Sequence, residues 1–438
     1  MKARPDPSIG EGSTPSVMPD ISLASRLFDA FRSGTSAAPG AGITRASYGE
    51  GEALAHAIVR REAEALGLEI ETDAACNLYM TLPGASTGPG IIVGSHLDSV
   101  PNGGNFDGAA GVLAGLAVVS GLIQGHVTPP CDITVMAIRA EESAWFGSSY
   151  IGSRAAFGLL TCDDVDTVIR AGDNLPLRQA IAAAGGTPET LREGSAFLHP
   201  SNIRCFIEPH IEQGPVLINA KRPIGIVTGI RGSFRYRHAL CRGSYAHSGA
   251  TPRRDRQDAV RALAELVTGL DRVWERLEDE GADLTITFGQ VETDPNEASF
   301  SKVAGLARFS LDIRSGALDT LDRVSTELAR LTKGIEARHR VTFELGRRTE
   351  SDAAQMHRPL RQGMMGIARE MSVDALEMPC GAGHDAATFA AMGVPTGMIF
   401  LRNANGSHNP DEHMEIADFA IGAELLMRLC LQAGDGIP

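Results

Sequence analysis

Nothing in this chain pairs its cysteines. Cys76, Cys131, Cys162, Cys205, Cys241, Cys380 and Cys430 stand singly, with no Cys-x-x-Cys among them, and seven is an odd number. That pattern excludes a zinc ribbon and a disulfide framework and favours a reducing compartment. Basic charge is also scarce. Forty Lys and Arg face 54 Asp and Glu, for a formal charge of -14, so neither nucleic acid nor an anionic membrane surface is an expected partner. Long apolar runs are missing too: the segment from Val112 to Ile123 is broken by Gly and Ala and falls short of the roughly twenty apolar residues that a spanning helix needs. Residues 1–16 carry three prolines and mixed charge without an apolar stretch, so they do not read as a secretory signal. We take 1–20 as a disordered leader and expect a cytoplasmic protein that acts on a small molecule.

With 438 residues the chain exceeds the size at which a single core stops growing, so two domains are expected. What it has in place of the missing features is a set of apolar strands that end in metal-binding side chains. Ile91-Ile92-Val93 runs into Gly94-Ser95-His96-Leu97-Asp98 and then, through glycine turns, Asn105-Phe106-Asp107-Gly108. Ile133 to Ile138 leads to Glu141-Glu142, Cys205-Phe206-Ile207 to His210, and Met398 to Leu401 to His408. Strand tips that feed glycine turns are where α/β enzymes assemble their chemistry. Each of these residues taken singly reads as a structural or solvated group; four such strand ends in one chain point to a metal site.

The order of elements is α/β. An amphipathic helix over 49–67, strands near 68–72 and 77–82, and the strand before His96 are followed by a helix from Gly108 whose Gly and Ala side must lie close against the sheet. After Gly232 the pattern changes. Alternation over 234–240, a helix over about 255–280, strands over 284–291 and 305–313, a helix near 318–331 and a strand over 341–345 spell β-α-β-β-α-β. We therefore expect a catalytic domain over 21–231 and 347–438, interrupted by an inserted ferredoxin-like α+β domain over 232–346.

On extended chain, residues i and i+2 point the same way, so Asp98 is placed to orient His96 by accepting its second ring N–H. Asp107 can return to the same point and bridge two cations. Glu141 and Glu142 are sent to different sides of the chain, so that one can ligate a metal while the other handles a proton.

Several longer strings carry a family resemblance. His96-x-Asp98, Asn105-x-Asp107-Gly108, Glu141-Glu142, Glu208-Pro209-His210-Ile211-Glu212-Gln213-Gly214-Pro215, His247-Ser248-Gly249-Ala250-Thr251-Pro252, Leu311-Asp312-Ile313-Arg314, Gly381-Ala382-Gly383-His384-Asp385-Ala386 and Ser407-His408-Asn409-Pro410-Asp411-Glu412 occur in that order. From about residue 50 onward the chain resembles the carbamoyl-amidohydrolase branch of the two-metal aminoacylase and carboxypeptidase clan. That branch includes N-carbamoyl-L-amino-acid hydrolase, β-ureidopropionase and allantoate amidohydrolase, and the string from His210 to Pro215 is distinctive for it. The resemblance implies a mixed-sheet, metallopeptidase-like fold and two divalent cations per subunit, zinc or else manganese, cobalt or nickel. Asp107 would bridge them, with His96 and His210 on one and Glu142 and His408 on the other, while Glu141 acts as general base. His247 in the insert would stabilise the oxyanion, and a homodimer would form through that insert. Arg314 would take the substrate carboxylate, with an ion pair to Asp312 as the competing role, and Gln213 and the backbone at Gly381 and Gly383 would complete the pocket. His384 and Asp385 would stand behind the ligands.

Three positions depart from the family. Trp145-Phe146 stands where members continue toward Arg-Phe, Ser301 where they place Asn, and Ser248 where Ala is commoner. The indole is expected to reshape the pocket and Ser301 to remove one donor near the acid group. The leading expectation is hydrolysis of an N-carbamoyl-L-amino acid to the amino acid, ammonia and carbon dioxide. Allantoate or another linear amide is the alternative, and a non-catalytic, metal-containing binding protein is the reading of a different class.

Overall fold

The computed structural model describes residues 17–36, 38 and 40–432. The chain divides into two compact units, one built from residues up to Val227 together with Met356–Glu377 and the chain from His384, the other from Thr228–Gln355 and Met378–Gly383.

The larger unit is organised by a mixed sheet. Its strands run in the order Glu69–Thr72, Leu78–Leu82, Cys131–Ile138, Ser86–His96, Ile203–Ile211, Thr396–Leu401 and Ile224–Ile230. Cys131–Ile138, Ser86–His96, Ile203–Ile211 and Thr396–Leu401 are mutually parallel neighbours, flanked by antiparallel pairings to Leu78–Leu82 and Ile224–Ile230. Their carboxyl ends therefore open on one edge of the sheet, which is the edge the sequence predicts for the site.

Helix Ala109–Gln124 is buried from Ala109 to Leu122, because two of its glycines remove the bulk that would hold it off. A Cβ on Gly111 would stand 2.2 Å from the Pro209 carbonyl oxygen, and one on Gly115 would stand 2.9 Å from Val135 Cγ1. The close approach expected from the sequence is thus required here. Helix Ile21–Thr35 buries Leu23, Leu27, Phe28 and Phe31 in the same core. It is capped by Asp20, whose Oδ1 accepts the Leu23 N–H at 3.0 Å. Of the leader expected over 1–20, residues 1–16 lie outside the described residues, and residue 20 is tied down, its N–H donating to the Ala117 carbonyl at 2.9 Å. Between Ser143 and Arg192 lie five short helices with a small core of their own that includes Phe146, Ile151, Val165, Leu177, Ile181 and Leu191. Sequence periodicity had not distinguished this block, since helices of one or two turns are too short to show it.

The smaller unit has the expected β-α-β-β-α-β order. Gly232–Arg242 lies centrally, with Leu306–Ser315 on one side and Thr342–Glu344 and Arg348–Ser351 on the other, all antiparallel. Thr285–Thr287 and Val291–Thr293 both pair with the outer side of Leu306–Ser315. The single strand read over 284–291 is thus split, opposite a register shift between Phe309 and Leu311. Helices Ala259–Asp279 and Leu318–His339 supply Leu263, Leu266, Leu270, Leu321, Val324, Leu328 and Ile335 to its core. The unit is wider than the 232–346 insert read from sequence, because strand Arg348–Ser351 continues to pair with Gly232–Arg242 after Gly346. Among the described residues no helix is long and apolar enough to cross a membrane.

Candidate metal centre

The four parallel strand ends deliver their side chains to one place. His96 is the last residue of its strand, His210 is the penultimate residue of the next, and both are buried. Ring tautomers follow from their partners. His96 Nδ1 stands 3.1 Å from the Asp98 carbonyl oxygen and 3.4 Å from Asp98 Oδ1. His210 Nδ1 stands 2.8 Å from the Ile211 carbonyl oxygen. Each Nδ1 is thereby committed to a carbonyl, and each Nε2 is the ring nitrogen turned to the site. Those two nitrogens face each other at 3.4 Å and look onto Asp107 Oδ1 at 3.8 Å from His96 and 3.1 Å from His210. Lone pairs converging on a carboxylate repel unless positive charge lies among them.

On the other oxygen of Asp107 the arrangement repeats. His408 Nε2 lies 3.2 Å from Asp107 Oδ2 and 3.4 Å from Glu142 Oε1. Two donor sets result, His96, Asp107, His210 and Asp107, Glu142, His408, with the chosen ligand atoms of each within 4.8 Å of one another. Donors around a tetrahedral zinc at its usual bond lengths stand about 3.3 Å apart, so both sets have the spacing of a metal site. Asp107 Oδ1 is buried and has no hydrogen-bond partner, an orphaned acceptor of the kind a cation would satisfy. The groups present thus fit divalent metal ions.

Electrostatics point the same way. Burial works against ionisation of Asp107, but the imidazoles of His210 and His408 close beside it outweigh burial and hold the carboxyl well below the usual carboxylate range. His408 is raised to about 10 by its bonds to Asp107 and Glu142. Burial opposes charge on His96, yet Asp98, Glu141 and Asp107 lift it well above the ordinary histidine value. Positive charge is favoured at both positions. Glu141 differs: burial, aided by Glu142, Asp385 and Asp98 and opposed by His96, pushes its carboxyl well above the usual range. Its Oε2 stands 3.9 Å from His96 Nε2.

Asp98 also meets the backbone of the Glu pair. Its two oxygens accept the backbone N–H groups of Glu141 and Glu142, each at 3.1 Å, and Oδ2 also accepts the Ser47 hydroxyl at 2.6 Å. One buried residue thus stands behind both the first imidazole, through its backbone carbonyl, and the Glu pair, through its carboxylate. Gly108, at φ +65°, must lack a side chain, since a Cβ there would meet the His96 ring at 2.5 Å. His384 lies behind His210, ring centroids 4.3 Å apart, and burial, together with His210, keeps it well below the usual histidine value. Asp385 accepts the Ser153 hydroxyl at 2.5 Å.

Gln213, at φ +65°, donates from Nε2 to Asp107 Oδ2 at 3.0 Å, so in this structure it contacts the shared carboxylate. Trp145 donates its indole N–H to the Ser99 carbonyl at 2.7 Å, which ties the short Glu-bearing turn to the loop after Asp98. In the smaller unit, Arg314 grips Asp312 through Nε at 3.1 Å and through its terminal nitrogen at 2.7 Å, and also donates to the Gly381 carbonyl at 2.7 Å. The competing ion pair is therefore formed. His247 is exposed and accepts the N–H groups of Gly249 and Ala250 at 3.2 Å. The Ser301 carbonyl accepts the Ser248 N–H at 2.8 Å, while Gly383 closes the 378–383 segment of that unit.

Sequence reasoning had assigned no role to Arg45, Ser407 or Glu412. Arg45 is fully buried and donates to the Leu97 carbonyl at 2.7 Å and to Asn105 Oδ1 at 3.2 Å. Burial brings it down to about 10 against the pull of Glu412, Asp107 and Asp98. Its cationic head backs the loop that carries Asp107, and a lone Arg in an N-terminal loop has no periodic signal to announce it.

A parallel-centred sheet with two donor sets sharing one carboxylate at its strand ends defines the class, an α/β enzyme fold with a candidate metal centre. A sequence profile of peptidase family M20/M25/M40 matches residues 92–432, and the chain belongs to that family. Among its relatives, an N-carbamoyl-L-amino acid amidohydrolase of Geobacillus stearothermophilus is 32% identical over 401 residues, 91% of this chain and 95% of that one. An allantoate amidohydrolase of Escherichia coli is 32% identical over 400 residues, covering 90% and 93%. A crystal structure of a hydantoinase/carbamoylase family amidase from Burkholderia ambifaria superposes with a TM-score of 0.83 at 28% identity, over 95% of this chain and 98% of that one. The resemblance read from the motifs is thereby shown.

Proposed function

We propose that this chain is a two-metal amidohydrolase that cleaves the ureido C–N bond of an N-carbamoyl-L-amino acid. The observation that carries the reading is Asp107, whose oxygens each face a separate donor set with Glu141 beside them. Cations held by His96, Asp107 and His210 and by Asp107, Glu142 and His408 would supply Lewis acidity at the carbonyl and lower the pKa of water. The chain's own contribution begins with Glu141. Its buried carboxyl takes the proton of the attacking water and passes it to the departing nitrogen, the exchange for which a raised carboxyl pKa is suited. Asp98 keeps the Glu pair in register with His96 while this occurs. Loss of the amino acid leaves a carbamate, which falls apart to carbon dioxide and ammonia.

The substrate side of the proposal rests on the smaller unit and on Gln213. Arg314 binds the substrate carboxylate by exchanging one of its present partners, the backbone at Gly381 and Gly383 holds the other oxygen, and Ser301 leaves room beside it. His247 donates to the oxyanion as it develops. The same reading makes the chain a homodimer through its insert, where Val260 and Val267 are exposed on helix Ala259–Asp279. Allantoate is kept as the second substrate, because the relative that carries that name is as similar, at 32%, as the N-carbamoyl relative.

The test is turnover by full-length protein loaded with zinc, manganese, cobalt or nickel, read as ammonia released from N-carbamoyl-L-amino acids and allantoate and as free amino acid released from dipeptides. We expect the first group to turn over fastest. Preference for dipeptides would overturn the assignment, and bound metal without any turnover would favour the binding protein.

A further inference from the structure

We infer that Ser407 and Glu412 are positioning residues that set the shared carboxylate of Asp107 toward His408, a conclusion that rests on the two-cation reading above. Glu412 is buried and reaches Asp107 from 305 positions downstream. Its Oε1 accepts the backbone N–H groups of Phe106 at 2.9 Å and Asp107 at 3.2 Å, which fixes the peptide that carries the ligand. Its Oε2 stands 2.5 Å from Ser407 Oγ, and that hydroxyl lies 2.8 Å from Asp107 Oδ2. One loop thus holds both the backbone and the side chain of Asp107. The same loop supplies His408, whose Nε2 is 3.2 Å from the same oxygen.

Room for this strut is built in. A Cβ on Gly104 would come within 2.0 Å of the Glu412 carboxyl carbon, so the glycine pair before Asn105 admits a carboxylate as well as making a turn. The opposite lobe of the site is held by other means. Asp107 Oδ1 has no hydrogen-bond partner, and its facing imidazoles are fixed from their own strands, His96 by Asp98 and His210 by the Ile211 carbonyl. Disturbing the strut should therefore weaken one cation and spare the other, which a general loss of folding would not do.

Full-length protein is stripped with chelator, reloaded with zinc, and equilibrated against graded competing chelator while bound zinc per chain and the thermal midpoint of the metal-free form are measured. The wild type should hold two zinc ions. Ser407→Ala and the near-isosteric Glu412→Gln should hold one as tightly as the wild type and the other about 10–100-fold more weakly, the usual cost of losing a group that orients a ligand. His408→Ala serves as the marker and should lose the same ion. The inference is overturned if both variants keep two ions at wild-type affinity, or if both ions weaken alike. A wild type that holds fewer than two removes the underlying reading, and the inference with it, and is told apart by the first measurement.

Discussion

The strand ends of the larger unit treat their charged side chains differently from the surface of the smaller one. In the smaller unit charges are matched at the surface: Arg314 with Asp312, Arg231 with Asp283, Arg276 with Glu327, and Glu265 with Arg338 and His339. Along the strand ends of the larger unit like meets like. His96 faces His210, burial and three neighbouring carboxylates drive Glu141 upward, and Asp107 Oδ1 and both ring nitrogens of His384 are buried without hydrogen-bond partners. Burying polar groups in that condition costs several kcal/mol unless something further satisfies them. Charged residues are plentiful in both units; what distinguishes the site is charge that the protein leaves unmatched.

The largest effect should come from breaking that unmatched cluster at its centre. Asp107→Ala removes the one side chain common to both donor sets, and we expect turnover to fall by at least about a thousand-fold with bound metal reduced below that of the wild type. Steady-state ammonia release and metal content together check it. Near-normal turnover would mean that the strand-end cluster is not the site at all.

The contrast is sharpened from the other side by Arg314, the matched residue with a proposed binding role. If its guanidinium takes the substrate carboxylate, Arg314→Ala should raise KM about 10–100-fold with kcat little changed, because a charge-assisted bond is worth roughly 1.5–3 kcal/mol. If Asp312 and the Gly381 carbonyl are its whole purpose, KM stays put and stability falls by about 1 kcal/mol or less, as for an exposed pair. Activity against substrate concentration, with urea midpoints for both proteins, decides between the two.

These regions also differ in how far the sequence discloses them. The strand ends were legible because an apolar run stopping at His or Glu is a local signal, and so was the small-residue helix, where Gly111 and Gly115 admit no other packing. The β-α-β-β-α-β order of the insert was legible for the same reason, but its edges were not. Continuation of the small sheet through Ser351, and the inclusion of 378–383, depend on pairings that no local pattern records. Within the site the same limit applies. Glu412 binding the Phe106 N–H across 306 positions, or Asp98 holding the Glu141 and Glu142 peptides as well as His96, are long-range partnerships between ordinary polar residues. Helix Leu318–His339 outran its reading over 318–331 because Thr332 and Ile335 continue the buried face beyond the strongest part of the apolar pattern.

The smallest effect is expected where a charge is matched inside the larger unit, far from any proposed chemistry. Asp20 caps helix Ile21–Thr35 and also accepts from Ser120 at 2.9 Å and Gln124 at 2.6 Å. Burial works against its ionisation, but these bonds and those from Ser22 and Leu23 win, and its carboxyl sits below the ordinary value. A group depressed in the folded state contributes its full stability above the unfolded pKa, about 3.9, and loses it as pH falls through the folded value. Asp20→Ala should therefore cost about 1 kcal/mol, the usual worth of an N-cap, equally at pH 7 and pH 5, with the gap from wild type narrowing near pH 3. Urea midpoints across that range check the sign. Turnover at pH 7 should be unchanged, which separates a matched charge that holds the fold from the unmatched ones beside Asp107.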